Sequence, residues 1–161
     1  MNVNKLIDYY GLERFESENC YLRNTYRSTF DAKTDVPMST SMIGLYCNEP
    51  KSCSMFHVLS HDETWYFQGG DPIRLMLLCV DGTSKEVILG SDIEKNQVLQ
   101  YTIHANTYQA GCLVEGGTYA LFGCSVTPGF TMECFKQGTK NQLMKQYPDR
   151  KEWIEAFGMD E

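Results

Sequence analysis

The chain has 161 residues, 42% hydrophobic, 12% aromatic and 22% charged, the composition of one folded globular domain and not of a disordered, collagenous or repeat protein. Fourteen Lys+Arg against 21 Asp+Glu give a formal charge of -7, so no broad cationic surface for nucleic acid or anionic lipid is expected. Neither a signal peptide nor an apolar run of the ~20 residues that a bilayer span requires is present, which makes the cytoplasm the expected location. The cysteines Cys20, Cys47, Cys53, Cys79, Cys112, Cys124 and Cys134 are odd in number and contain no CxxC pair. They read as reduced thiols, several serving as small core hydrophobes, and not as disulfides or a zinc ribbon.

Val3, Leu6, Ile7 and Tyr10 recur at helical spacing, with Asn2 or Asn4 as cap and Gly11 as stop, which predicts an amphipathic helix over about 3–11. From about 20 to 135 the chain turns to β-branched and aromatic runs. Turn signals cut them at 31–37, 48–52, Gly69-Gly70-Asp71-Pro72, Asp81-Gly82, Gly116-Gly117 and Pro128-Gly129. Ile73, Leu75, Leu77 and Cys79 alternate with Arg74, Met76, Leu78 and Val80 ahead of Asp81-Gly82, which predicts a hairpin. Gly69-Gly70-Asp71 reads as another hairpin turn. Helical patterning returns over about 139–158: 141–147, a break at Pro148, then Asp149 as cap before Trp153, Ile154 and Phe157. The whole predicts an all-β, antiparallel sandwich or barrel in a single domain spanning 1–161, with short helices at both ends.

Two of the three histidines lie in Ser54-Met55-Phe56-His57-Val58-Leu59-Ser60-His61-Asp62-Glu63-Thr64-Trp65. On a strand, Met55, His57 and Leu59 share one face; after the polar turn at 60–62, Glu63, Trp65 and Phe67 share another. Antiparallel pairing of the two segments would set His57 beside Glu63. That pair can serve as an acid/base couple, a substrate clamp or part of a metal site, and the commonest role of such a pair is a half-buried hydrogen bond. A nucleophile elbow, a Walker loop, a dinucleotide fingerprint and a zincin helix are all missing from the sequence, and Cys53 near His57 makes a poor case for a thiol nucleophile.

His57, Glu63 and Gly70 match the spacing of the first signature of the cupin superfamily, with Leu59 at its second histidine. The chain most resembles the small fifth cupin family across nearly its whole length. The matching pieces are Tyr21-Leu22-Arg23-Asn24-Thr25-Tyr26-Arg27-Ser28, Ser54-Met55-Phe56-His57, His61-Asp62-Glu63-Thr64-Trp65, Gly70-Asp71-Pro72, Tyr108-Gln109-Ala110 and Gly123-Cys124-Ser125-Val126-Thr127-Pro128-Gly129-Phe130. The family usually carries Glu at Asn24, Pro and Gly at His104 and Asn106, and Trp at Tyr108.

The resemblance implies a jelly-roll cupin barrel in which His57 and Glu63 are the candidate catalytic pair. Arg23, Tyr26, Ser54, Trp65, Tyr108 and Gln109 would then bind ligand. Metal-binding cupins supply three imidazoles and a carboxylate, whereas the matching positions here are His57, Leu59, Glu63 and Gln109, so no cofactor or stably bound metal is expected. If a divalent metal were held, His57, Glu63 and Gln109 would hold it, with His104 on a turn. The expected function is binding of a polar metabolite, sugar or nucleotide-sugar-like, by a homodimer that binds neither nucleic acid nor membrane. The alternatives are a sugar-nucleotide epimerase or isomerase using His57 and Glu63, a metal-dependent oxygenase or isomerase, and a dimerising module with a vestigial pocket. By bland expectation Trp65 and Tyr108 are packing residues, and Arg23 and Arg27 are surface ion pairs worth little in stability.

Overall fold

The computed structural model describes residues 2–30 and 33–160, so Asp31 of the first turn signal lies outside the described residues. Helix α1 (Val3–Tyr10) starts where the Asn2 side chain accepts from the Lys5 N–H, and stops at Gly11, whose φ of 59° closes the C-terminus. Among the described residues eleven strands follow: β1 (Glu13–Phe15), β2 (Cys20–Arg27), β3 (Thr40–Cys47), β4 (Ser54–Leu59), β5 (Asp62–Gly70), β6 (Ile73–Leu78), β7 (Ser84–Leu89), β8 (Gln100–Ile103), β9 (Tyr108–Leu113), β10 (Tyr119–Thr127) and β11 (Phe135–Gln137). They form a six-stranded sheet in the order β1-β2-β3-β10-β5-β8 and a five-stranded sheet in the order β11-β4-β9-β6-β7, antiparallel throughout. From β3 onward the chain switches sheet at nearly every connection. This is a jelly roll, and it is longer than the expected barrel of 20–135 because β1 and β11 add a short strand to an edge of each sheet.

Sheet switching overturns two sequence expectations. Segments 54–59 and 62–70 do not pair: β4 and β5 lie in opposite sheets, and His57 has Gln109 and Gln137 as its cross-strand partners, not Glu63. Gly70-Asp71 is likewise no hairpin turn, because β5 and β6 belong to different sheets. It is a corner. A Cβ on Gly70, whose φ is 90°, would stand 2.4 Å from the Tyr119 carbonyl. Asp71 then accepts from the Thr118 N–H at 2.7 Å and donates its own N–H to the Tyr119 oxygen at 2.8 Å. This corner clasps the start of β10.

The β6–β7 hairpin forms as expected, with Ile73 opposite Leu89 and Leu78 opposite Ser84. Its turn contains three residues: Gly82 donates to Cys79, takes φ 84°, and Cys79 donates to Thr83. Both faces of β6 are buried. Ile73, Leu75 and Leu77 meet Tyr46, Trp65 and Phe122 inside the sandwich, while Met76 and Leu78 lie with Phe56 under α2 (Lys140–Gln146) and α3 (Lys151–Phe157) through Leu143 and Ile154. Full burial of Leu143 and Ile154 contributes roughly 1.5–3 kcal/mol each. Thr139, not Asn141, begins α2 as its cap. Asp149 falls within a 3-10 turn, Pro148–Arg150, and does not cap α3.

Candidate functional site

Between the sheets, toward the β1 and β2 side, lies a cavity of about 470 Å³. Leu22, Met42, Leu59, Trp65, Val126 and Phe130 give it apolar walls. The exposed residues Gly11, Glu13, Arg23 and Asn24 stand at its opening, and His57, Glu18 and Glu63 bring buried polar groups into it. A largely apolar concavity with a few converging polar groups is the usual form of a small-molecule site, and this one lies toward the small end of the ~300–1,000 Å³ range.

His57 reaches this interior through an irregularity in β4. The register against β9 steps from Ser54 opposite Gly111 to His57 opposite Gln109, so one extra residue on β4 turns both Ser54 and His57 inward despite their odd spacing. The face predicted for Met55 goes to Ser54 instead. His57 is 3% exposed, and its Nδ1 lies 2.9 Å from the Met55 carbonyl. A carbonyl can only accept, so Nδ1 carries a hydrogen and Nε2 is the ring nitrogen left to face the cavity. Nε2 faces Glu18 Oε2 at 4.0 Å.

Glu18 was not legible from sequence. It sits in the tight turn between β1 and β2, closed by Glu18 and Asn19 N–H donation to Phe15, with Asn19 at φ 63°. Cys53 and Met55 donate to the Asn19 and Glu18 carbonyls and clip this turn to the start of β4. The Glu18 carboxylate therefore lies over His57, where Ser54 Oγ donates to it at 3.5 Å and the Cys20 thiol at 3.8 Å. The one local clue is Asn19, a residue that tolerates left-handed backbone and so marks a turn.

Glu63 comes from the opposite sheet. Its Oε2 accepts from Gln109 Nε2 at 2.7 Å and from Trp65 Nε1 at 3.2 Å, and Gln109 Oε1 accepts from the same indole at 3.1 Å. Burial is the largest influence on this carboxyl and raises its pKa, with the Glu18 charge adding and His57 and the two hydrogen bonds opposing. The folded state thus binds the Glu63 proton more tightly than the unfolded chain does. Its contribution to stability is greatest below the ordinary glutamate value of 4.5 and falls as pH rises through the elevated folded value. Glu63→Gln keeps both acceptor bonds and removes the charge. The variant is expected to melt above the wild type at pH 7, by roughly 2–4 °C per kcal/mol relieved, and the two curves are expected to converge in acid. Calorimetric melts across pH check this; a constant offset at every pH would remove charge burial as the cause.

The other predicted residues divide. Trp65 walls the cavity, 2% exposed and stacked on Phe122 at 4.7 Å. Arg23 stands at the opening. Ser54 and Gln109 are buried as supports behind Glu18 and Glu63 and do not line the cavity. Tyr26 is 57% exposed and lies off it, because Asn24 and Tyr26 flank an irregularity in the β2–β3 register. Tyr108 faces the other side of its sheet, packed with the C-terminal helices and accepting from Gln142 Nε2 at 2.7 Å. Alternation along β9 demands this once Gln109 points inward. His104 is exposed beside Asp62, at 3.5 Å. Among the described residues neither Arg23 nor Arg27 forms an ion pair: Arg27 donates to the Phe130 carbonyl and covers the Phe30 ring.

The seven cysteines are free, and burial pushes the thiols of Cys20, Cys47, Cys53, Cys112, Cys124 and Cys134 up, Cys112 to about 11. A Cys53 thiolate nucleophile has no support in that environment. Nor do the residues at the cupin metal positions fit a metal. His57 is the one imidazole, Leu59 has no donor atom, and the Gln109 amide is engaged by Trp65 and Glu63. Among the described residues no group of three or more His, Cys, Asp or Glu side chains is disposed to hold an ion.

Two antiparallel sheets rolled around a cavity that opens between them, with short flanking helices, define a cupin jelly roll. The profile described as "Cupin superfamily (DUF985)" matches residues 4–137, and the chain belongs to that family. A hypothetical protein from Leishmania major has the same fold, with a TM-score of 0.90 at 24% identity over 99% of this chain and 100% of that one. A crystal structure of a Shewanella oneidensis protein matches with a TM-score of 0.90 at 25% identity, covering 100% and 99% of the two chains. Oxalate decarboxylase from Bacillus subtilis is similar in fold, with a TM-score of 0.57 at 14% identity, over 93% of this chain and 38% of its own. No curated protein matches the sequence. Among the described residues no helix is long and apolar enough to cross a membrane.

Proposed function

We propose that the protein binds a small hydroxylated metabolite, sugar or nucleotide-sugar-like, in the cavity between its sheets and without a stably bound metal. One observation carries this reading: with Nδ1 committed to Met55, His57 Nε2 and the Glu18 carboxylate face each other across 4.0 Å, too far apart for a hydrogen bond, so both polar groups are open to a ligand placed between them. Adjacent hydroxyls of a sugar supply one donor to each, while Trp65 and Leu59 give its C–H surface an apolar wall. The bond to the Glu18 carboxylate contributes about 1.5–3 kcal/mol and the bond to the imidazole about 0.5–1.5 kcal/mol.

The same nitrogen favours a second reading, an isomerase or epimerase in which His57 removes and returns a proton, with Glu18 stabilising the imidazolium. The couple would be His57 and Glu18, since the Glu63 carboxylate is already hydrogen-bonded by Trp65 and Gln109. Thermal melts against hexoses, hexose phosphates and nucleotide sugars test the binding reading. A true ligand at ~100 times its Kd adds about 2.7 kcal/mol, a rise of roughly 5–10 °C. No shift across the panel defeats it. A stoichiometric metal retained after gel filtration and lost in His57→Ala would replace it with a metal-dependent one.

A further inference from the structure

We infer that the ligand is anionic and enters in one orientation, its carboxylate or phosphate held at the opening by Arg23 and its hydroxyl end at His57 and Glu18; this rests on the binding reading above. The arginines of the chain are not equivalent. Arg14 donates to the Lys51 carbonyl and to Asn19 and lies over Tyr21; Arg27 is bound to Phe130 and Phe30. Arg74 pairs with Glu86, and Arg150 donates to Ser84 and covers Trp153. Arg23 alone makes no hydrogen bond, ion pair or ring contact among the described residues. Its guanidinium runs beside Gly11, where an added Cβ would lie 3.6 Å from Nη1. It projects from β2 at the cavity opening, a strand position that fixes its base.

The charge distribution sets the direction. The buried end holds two carboxylates, Glu18 and Glu63, around a single imidazole, which repels an anion and welcomes hydroxyl donors. The opening carries Arg14 and Arg23 against Glu13, a local excess of positive charge on a chain of net charge -7. Only Arg23 has its planar fork unused, and that fork is the geometry that takes a carboxylate or a phosphate through two parallel hydrogen bonds.

The test uses Trp65 as reporter. In a Trp153→Phe background its emission is the only indole signal, and it is titrated with D-glucose 1-phosphate, D-glucuronate, D-glucose and methyl glucoside at one ionic strength. The anions are expected to bind at least about tenfold tighter than the neutral sugars, the yield of a charge-assisted pair. Arg23→Ala should bring that ratio to about one, and Arg23→Lys should leave an intermediate value. Preference for the phosphate alone or for both anions tells which group the fork accepts. A ratio unchanged in Arg23→Ala, or equal binding of neutral and anionic sugars by the wild type, overturns the inference while leaving sugar binding intact. Silence from all four compounds overturns the inference, and the binding reading then falls only with the absence of a shift across the wider melting panel.

Discussion

His57→Asn and Glu18→Gln are each expected to weaken binding of whichever sugar raises the melting temperature most, by about 10- to 100-fold, while the protein stays folded. Asparagine retains an N–H for the Met55 carbonyl but has no atom at the Nε2 position, so the acceptor facing the cavity disappears. Glutamine at 18 can still accept from Ser54 and Cys20 through its carbonyl oxygen, and it loses the charge that faces His57. Titration calorimetry on each variant provides the measurement. If Glu18→Gln binds like the wild type while Glu63→Gln fails, the working carboxylate is Glu63 and the assignment of Glu18 is wrong. Exchange of ligand C–H for deuterium in heavy water, followed by NMR, separates a binding protein from a catalyst. Exchange that vanishes in His57→Asn establishes proton transfer; no exchange in the wild type withdraws the second reading.

Trp65→Ala should be the most destabilising single change at the site, at about 3–5 kcal/mol, against a total that for domains of this kind is only about 5–15 kcal/mol. The indole stacks on Phe122 and meets Tyr46 at 6.3 Å, so its removal opens the centre of the sandwich. It also withdraws the single N–H that both Glu63 Oε2 and Gln109 Oε1 accept, leaving two buried acceptors short of a donor. Trp65→Phe keeps most of the packing and loses only the donor, so it should cost clearly less. Urea unfolding of the pair measures the two contributions apart. Equal losses would mean that the hydrogen bonds, not the packing, dominate.

Much of the fold was legible because it rests on local rules. Asn2 and Gly11 bound a helix through capping and left-handed backbone; Ile73 to Val87 form a hairpin because alternation and Gly82 permit little else. Glu63, Trp65 and Phe67 share a face, as a period of two requires. The ordered motifs shared with the cupins carried the barrel, and they named His57 and Glu63 as residues of one cavity. Short edge strands such as β1 and β11 were missed, since three residues carry no period.

The sequence by itself determined the jelly roll and the identity of its inward histidine and carboxylate, because strand alternation, turn chemistry and family spacing are properties of neighbours along the chain. Only the tertiary structure decided which groups share a hydrogen. Sheet switching took Glu63 away from the strand beside His57 and gave it to Trp65 and Gln109. The irregularity in β4 turned Ser54 inward, and a turn clipped to that strand delivered Glu18 to Nε2. Tyr108 faces the C-terminal helices because it alternates with inward Gln109 on β9, and Tyr26 faces solvent beside an irregularity in the β2–β3 register. The partners of Glu18 and Glu63 depend on what the fold brings across the sandwich, and no spacing within one strand encodes that.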